Sequence, residues 1–173
     1  MLTWTHPVEG EYLPYQKAYL DKVPDGDLIE ILKNNVVKTS DFLRQLSDEQ
    51  ILYRYAEGKW NIKEILQHII DTERIMSYRA LRFARKDATA LPGFEQDDYV
   101  ANANTDERDF IEMILEFFAV RTSTVYLFNS FNDELMEFTA IANKGPVKVK
   151  SFAYVIAGHE LHHMQIIKER YIK

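Results

Sequence analysis

The sequence predicts an all-α fold, one domain built as a four-helix bundle. Three observations point there. Four segments carry apolar residues at helical spacing, and helix-start signals stand at Asp27, Asn61 and Thr105. Strand-like alternation is confined to Val147–Lys150. The 173 residues suit a single core that needs no crosslinks, and no repeat, low-complexity segment or linker divides the span 1–173.

Residues 1–24 mix Pro7, Gly10, Pro14 and Pro24 with Trp4, Tyr12, Tyr15 and Tyr19, which reads as an irregular arm with a helical turn near Gln16–Leu20. Asp27 with Glu30 opens the first helix, and Leu28, Ile31, Leu32, Val36, Phe42, Leu43 and Leu46 carry it to about Leu46. Ser47–Gln50 forms a short turn and Tyr53–Lys59 a connection. The second helix has the clearest start, with Asn61 as cap, Glu64 completing a capping box and Trp60 placed to pack on Ile65. It is expected to run to about Arg85. A long loop follows over 86–104, centred on Leu91–Tyr99, and loops of that length inside a domain are often functional. Thr105 begins the third helix, which ends near Phe131–Asp133. Asn143–Pro146 is a turn, Val147–Lys150 is extended, and the fourth helix runs from Ser151 to about Tyr171.

Charge and composition narrow the function. The net charge of -6 argues against a nucleic-acid partner, which requires a clustered basic face. Cysteine is absent, which removes disulfides, thiolate metal sites and a cysteine nucleophile. The first residues lack a signal-peptide pattern and no apolar run is long enough to span a bilayer, so a cytoplasmic protein with no membrane partner is expected.

His159 and His163 lie four residues apart on the apolar stripe of the fourth helix, so both rings project from one face. An inward imidazole requires a partner. Two readings are open: a pair of hydrogen-bonded histidines, or ligands of a divalent metal, joined inside the bundle by His68 of the second helix. His162 is rotated by about 100° from His163 and fits a surface or supporting role. Glu64 already has a capping role, and Glu160 turns away from the pair, toward solvent. Asp71, one turn beyond His68, can support an imidazole or lie on the surface. Arg121, between Phe117, Phe118 and Val125, can bind an anion or extend its stem along the apolar face. The Glu-x-x-His pairs of di-iron bundles are missing, which favours a single ion.

The run from Gly58 through Trp60, Asn61 and His68 to Arg74 resembles the first signature of the DinB-like (DinB/YfiT-like) superfamily. Leu91–Phe94 and the closing Gly158–His163 with Glu169–Tyr171 are similar to one of its branches. The resemblance implies a four-helix bundle of up-down-down-up connectivity and one divalent ion, zinc or nickel, on His68, His159 and His163. It also implies a homodimer, and relatives that include thiol S-transferases acting with a low-molecular-weight thiol.

The expected activity is therefore metal-dependent S-transfer from such a thiol to a small electrophile. Catalytic candidates for the proton are His162 and Asp71, and substrate-binding candidates are Phe94 and Arg121. The alternatives are metal-dependent hydrolysis and a non-catalytic, stress-associated bundle.

Overall fold

The computed structural model describes residues 4–172; Met1–Thr3 of the arm and Lys173 lie outside the described residues. A 3-10 turn at Pro14–Gln16 leads into α1, Lys17–Leu20, where the sequence places a helical turn. Four long helices follow: α2, Leu28–Leu43; α4, Ile62–Ala84; α6, Phe110–Asn129; and α8, Val149–Arg170. Between them lie the short helices α3, Asp48–Leu52, α5, Gln96–Ala101, and α7, Asp133–Met136.

Caps account for most of the boundaries. Asp27 accepts from the Ile29 amide at 2.9 Å, and Asn61 with Glu64 forms the predicted capping box (3.0 and 2.7 Å). The third long helix starts at Phe110, capped by Asp109, because Thr105–Glu107 is a separate 3-10 turn. The first ends at Leu43, short of Leu46, and Ser47 with Gln50 caps α3 instead.

The fold is not strictly all-α. Strands β1, Thr139–Ala142, and β2, Gly145–Lys148, pair antiparallel with Ala142 opposite Gly145. The link is Asn143-Lys144, with positive φ at both (48° and 69°), as a two-residue hairpin turn requires. The extended run Val147–Lys150 is thus half strand and half first turn of α8.

Around the bundle, α2 touches α6 and α8, and α4 touches the same two helices. The apolar interior falls into two clusters, one around Leu28, Phe83, Phe128 and Phe152, the other around Ile62, Leu66, Met113 and Ile167. The residues between them along α4, α6 and α8 are Glu73, Arg121 and Glu160, all buried.

Candidate metal centre

His68 comes from the second turn of α4, two turns beyond its cap, and His159 and His163 from successive turns of α8. His159 is buried because α8 is enclosed on every side from Val149 to Glu160. The Nε2 atoms of His68 and His159 are 2.9 Å apart, and those of His163 and His159 are 3.1 Å apart. One ligand nitrogen from each ring lies within 4.8 Å of the other two. Burial lowers all three pKa values: His68 to about 4, His163 to about 3 with His68 and His162 adding to the effect, and His159 well below its ordinary value. At neutral pH these are uncharged rings.

The donor set fits a cation and does not satisfy itself. A neutral imidazole Nε2 carries either one proton or one lone pair, so His159 Nε2 cannot complete hydrogen bonds to both neighbours. A tetrahedral ion at about 2.05 Å from each nitrogen sets them about 3.3 Å apart, close to the spacing observed.

The surroundings come from places that periodicity does not reveal. The Trp60 ring stands 4.9 Å from His68, centroid to centroid, and Tyr19 of α1 stands 5.3 Å from His159 and 5.2 Å from His162. A Cβ on Gly158 would fall 2.1 Å from the Tyr19 carbonyl oxygen, so only glycine lets α1 approach α8 this closely. That glycine, one residue before His159, is the available sequence signal that the arm covers the site. A pocket of about 340 Å³ opens beside His163, walled by Tyr55, Trp60 and Tyr171 and edged by Lys59 and Asp97.

The other predicted residues are placed as follows. His162 is half-buried beside His163, ring centroids 5.2 Å apart, with its pKa lowered by burial and then by Lys22. Asp71 accepts from Gln67 Nε2 at 2.9 Å and lies 3.8 Å from Arg74, among the charges that face α6 rather than at the three rings. Phe94 packs on Tyr99 (5.2 Å) and under the Arg79 guanidinium (5.9 Å); the pocket takes the neighbouring loop residues Gln96 and Asp97 instead.

Two expectations are corrected. Arg121 neither reaches solvent nor awaits an anion from outside. It is 0% exposed, with Nε and Nη2 on the two oxygens of Glu73 at 2.8 and 2.9 Å. Glu160 is not solvated either. It is 0% exposed, accepts from Thr39 Oγ1 at 2.6 Å, and lies 2.8 Å from Arg121 Nη1. That last contact is an ion pair off hydrogen-bond angle, since Nη1 donates to the Leu32 carbonyl at 3.0 Å. Rotation away from the histidines meets α2 here, not water. Burial raises the Glu160 pKa against the opposing pull of Arg121 and Thr39.

The sequence profile of the DinB superfamily matches residues 32–167. The chain belongs to the DinB superfamily. A relative from Oceanobacillus iheyensis is 27% identical over 155 residues, covering 86% of this chain and 87% of that protein, and is named as a candidate metal-dependent hydrolase. Among solved structures, YfiT from Bacillus subtilis superposes with a TM-score of 0.71 over 94% of this chain and 89% of its own, at 14% identity. YfiT is described as a candidate metal-dependent hydrolase with an unusual four-helix bundle topology, and at that identity it supports the helical-bundle fold alone.

Proposed function

We propose that this DinB-superfamily chain is a metal-dependent hydrolase of small molecules, with one divalent ion held by His68, His159 and His163. The observation that carries the reading is the convergence of three uncharged ring nitrogens that cannot satisfy one another. Bound there, zinc or nickel supplies Lewis acidity and makes a coordinated water or thiol easier to ionise. The relative from Oceanobacillus, similar along most of its length, supports hydrolysis as the use of that acidity.

The chain's own residues divide the remaining work. His162, uncharged beside His163, takes up the released proton, and Asp71 is the weaker candidate because Gln67 and Arg74 already engage it. Tyr55, Trp60 and Tyr171 hold an apolar part of the substrate, with Lys59 and Asp97 at the rim for its polar part. Phe94 acts only by anchoring the loop that brings Gln96 and Asp97 to the pocket.

Thiol S-transfer is the second reading. It is favoured by one observation: three neutral ligands leave the ion its full double charge, which suits an anionic thiolate that this cysteine-free chain must obtain from outside. The same reading takes the long helices as up-down-down-up, supported by ties that advance together along α4 and α6, Arg74 to Glu116 and Ser77 to Thr124. A cytoplasmic setting is in keeping with the lack of cysteine.

Untagged protein analysed for metal should carry about one equivalent, and His68→Ala almost none. Metal-loaded protein should cleave chromogenic esters or amides without added thiol, with the rate lost in His159→Ala. Turnover that appears only with a thiol and an electrophile would replace hydrolysis by transfer. A metal-free wild type would end both.

A further inference from the structure

Arg79 of α4 is 4% exposed, as buried as His68 and His159, yet it forms no ion pair with a carboxylate among the described residues. Its Nη2 donates to the Pro92 carbonyl at 2.6 Å, its Nη1 faces the Met76 thioether at 3.9 Å, and the Phe94 ring centroid lies 5.9 Å away. None of these partners carries a charge. Arg121 is the contrast: enclosed to a similar degree, it has two carboxylates. An arginine is rarely this buried without an anion, because taking its charge out of water is costly. Burial lowers the Arg79 pKa, and the titratable groups near enough to oppose that are the Tyr15 and Tyr99 phenols. Both tyrosines are about half exposed (55% and 46%), so the guanidinium lies one layer of side chains below the surface.

Three elements connect this charge to the candidate metal centre. On α4, Arg79 stands eleven residues beyond His68, within about 20° of the same face and about 16 Å along the axis. Its side chain leans back one turn to Met76, which leaves about 11 Å to the level of His68. On the arm, Tyr19 packs on His159, and Tyr15, four residues earlier, stands near Arg79. On the loop, Asp97 edges the pocket beside His163, and Phe94, three residues earlier, packs under the guanidinium. Each element therefore contributes to both ends of one track.

We propose that Arg79 is the anion-binding residue of the substrate site, and that the small molecule handled at the metal centre carries a carboxylate about 10 Å from its reacting group. The inference rests on the metal-dependent reading for that reacting end only. The Pro92 carbonyl takes one of the five guanidinium N–H groups, and the fork accommodates a carboxylate with those that remain. The Tyr15 and Tyr99 hydroxyls are placed to donate to the same anion. No second cation acts on Arg79, so a singly charged carboxylate matches it better than a doubly charged phosphate. The anion-binding role that the sequence suggests for Arg121 thus falls to Arg79.

Calorimetric titration of the full chain with octanoate and with octanamide, its uncharged match, tests the inference, as purified and again with chelator. An extended chain of about eight carbons spans the track. With chelator present, where no ion can take the carboxylate, octanoate should bind about tenfold tighter, the worth of a charge-assisted hydrogen bond. Arg79→Met should abolish that preference and Arg79→Lys keep part of it. Lys59→Met, which removes the cation at the pocket rim, should keep it in full. Should Arg79→Met lose its helical circular dichroism, Arg79→Gln, which retains a donor for Pro92, replaces it. In turnover, mono-4-nitrophenyl suberate should show a KM about tenfold below that of 4-nitrophenyl octanoate at similar kcat, with the gap closed in Arg79→Gln. Equal affinity for octanoate and octanamide, a preference that chelator removes, or one that survives loss of the guanidinium would each overturn the proposal. Octanoate binding through Arg79 in a chain that cleaves no ester would support the anion site and end the hydrolase reading instead.

Discussion

At the scale of single residues, burial decides what each charge does. Arg121 carries two carboxylates in a layer closed to water, where taking ions out of water is costly and only complete pairing offsets it. Burial pulls the Arg121 pKa down, but Glu160 and Glu73 together hold it above its ordinary value. Arg121→Met leaves both carboxylates buried without their cation, and urea unfolding should show a loss of about 3–5 kcal/mol. The histidines give a prediction of the opposite sense with pH. In the metal-stripped chain the unfolded state protonates His68 below 6.5, whereas the folded ring resists protonation until about 4. The unfolded state then binds more protons across that window, so stability falls as the pH drops through it, by about 3 kcal/mol from this ring. Urea melts at pH 7 and pH 5 in the presence of chelator should show the fall, and His68→Gln should flatten it.

Among the elements, legibility follows how local the deciding interaction is. The start of α4 is readable because Asn61, Glu64 and the apolar stripe lie within one turn of each other. Asn61→Ala should therefore cost about 1 kcal/mol, measurable by thermal melting. The end of α2 is misread because Leu46 continues the helical spacing and packs on the core although the helix has stopped at Leu43. The hairpin is half hidden, since Thr139–Ala142 contains two alanines and little β-branched character. The three histidines are legible through the four-residue step on α8 and the scarcity of other inward imidazoles. The Arg121 layer is not, because its partners lie 48, 39 and 89 residues away and no local pattern tells which charges share a buried plane. The approach of α1 to α8 rests on one glycine. Gly158→Ala should push Tyr19 off α8, cost about 1–3 kcal/mol as overpacking does, and expose the arm to limited proteolysis.

For the whole molecule, an ion bound by α4 and α8 joins two helices of different sequence regions and should stabilise the folded chain by mass action. Zinc or nickel at a hundredfold excess over its Kd adds about 2.7 kcal/mol, which is about 5–10 °C in Tm for a chain of this size. Scanning calorimetry should show that rise in wild type, its reversal by chelator, and neither effect in His163→Ala. The ring order of the long helices has a kinetic consequence. α2 finds its neighbours in α6 and α8, far along the chain, rather than in the next long helix. Loop-closure entropy must be met before such contacts can form, so the usual speed of helical bundles, which grow by zipping adjacent hairpins, is not open to this one. Stopped-flow refolding should be slower than for an up-and-down bundle of equal length, and no half of the chain should hold a native core while the ribosome is still delivering α8.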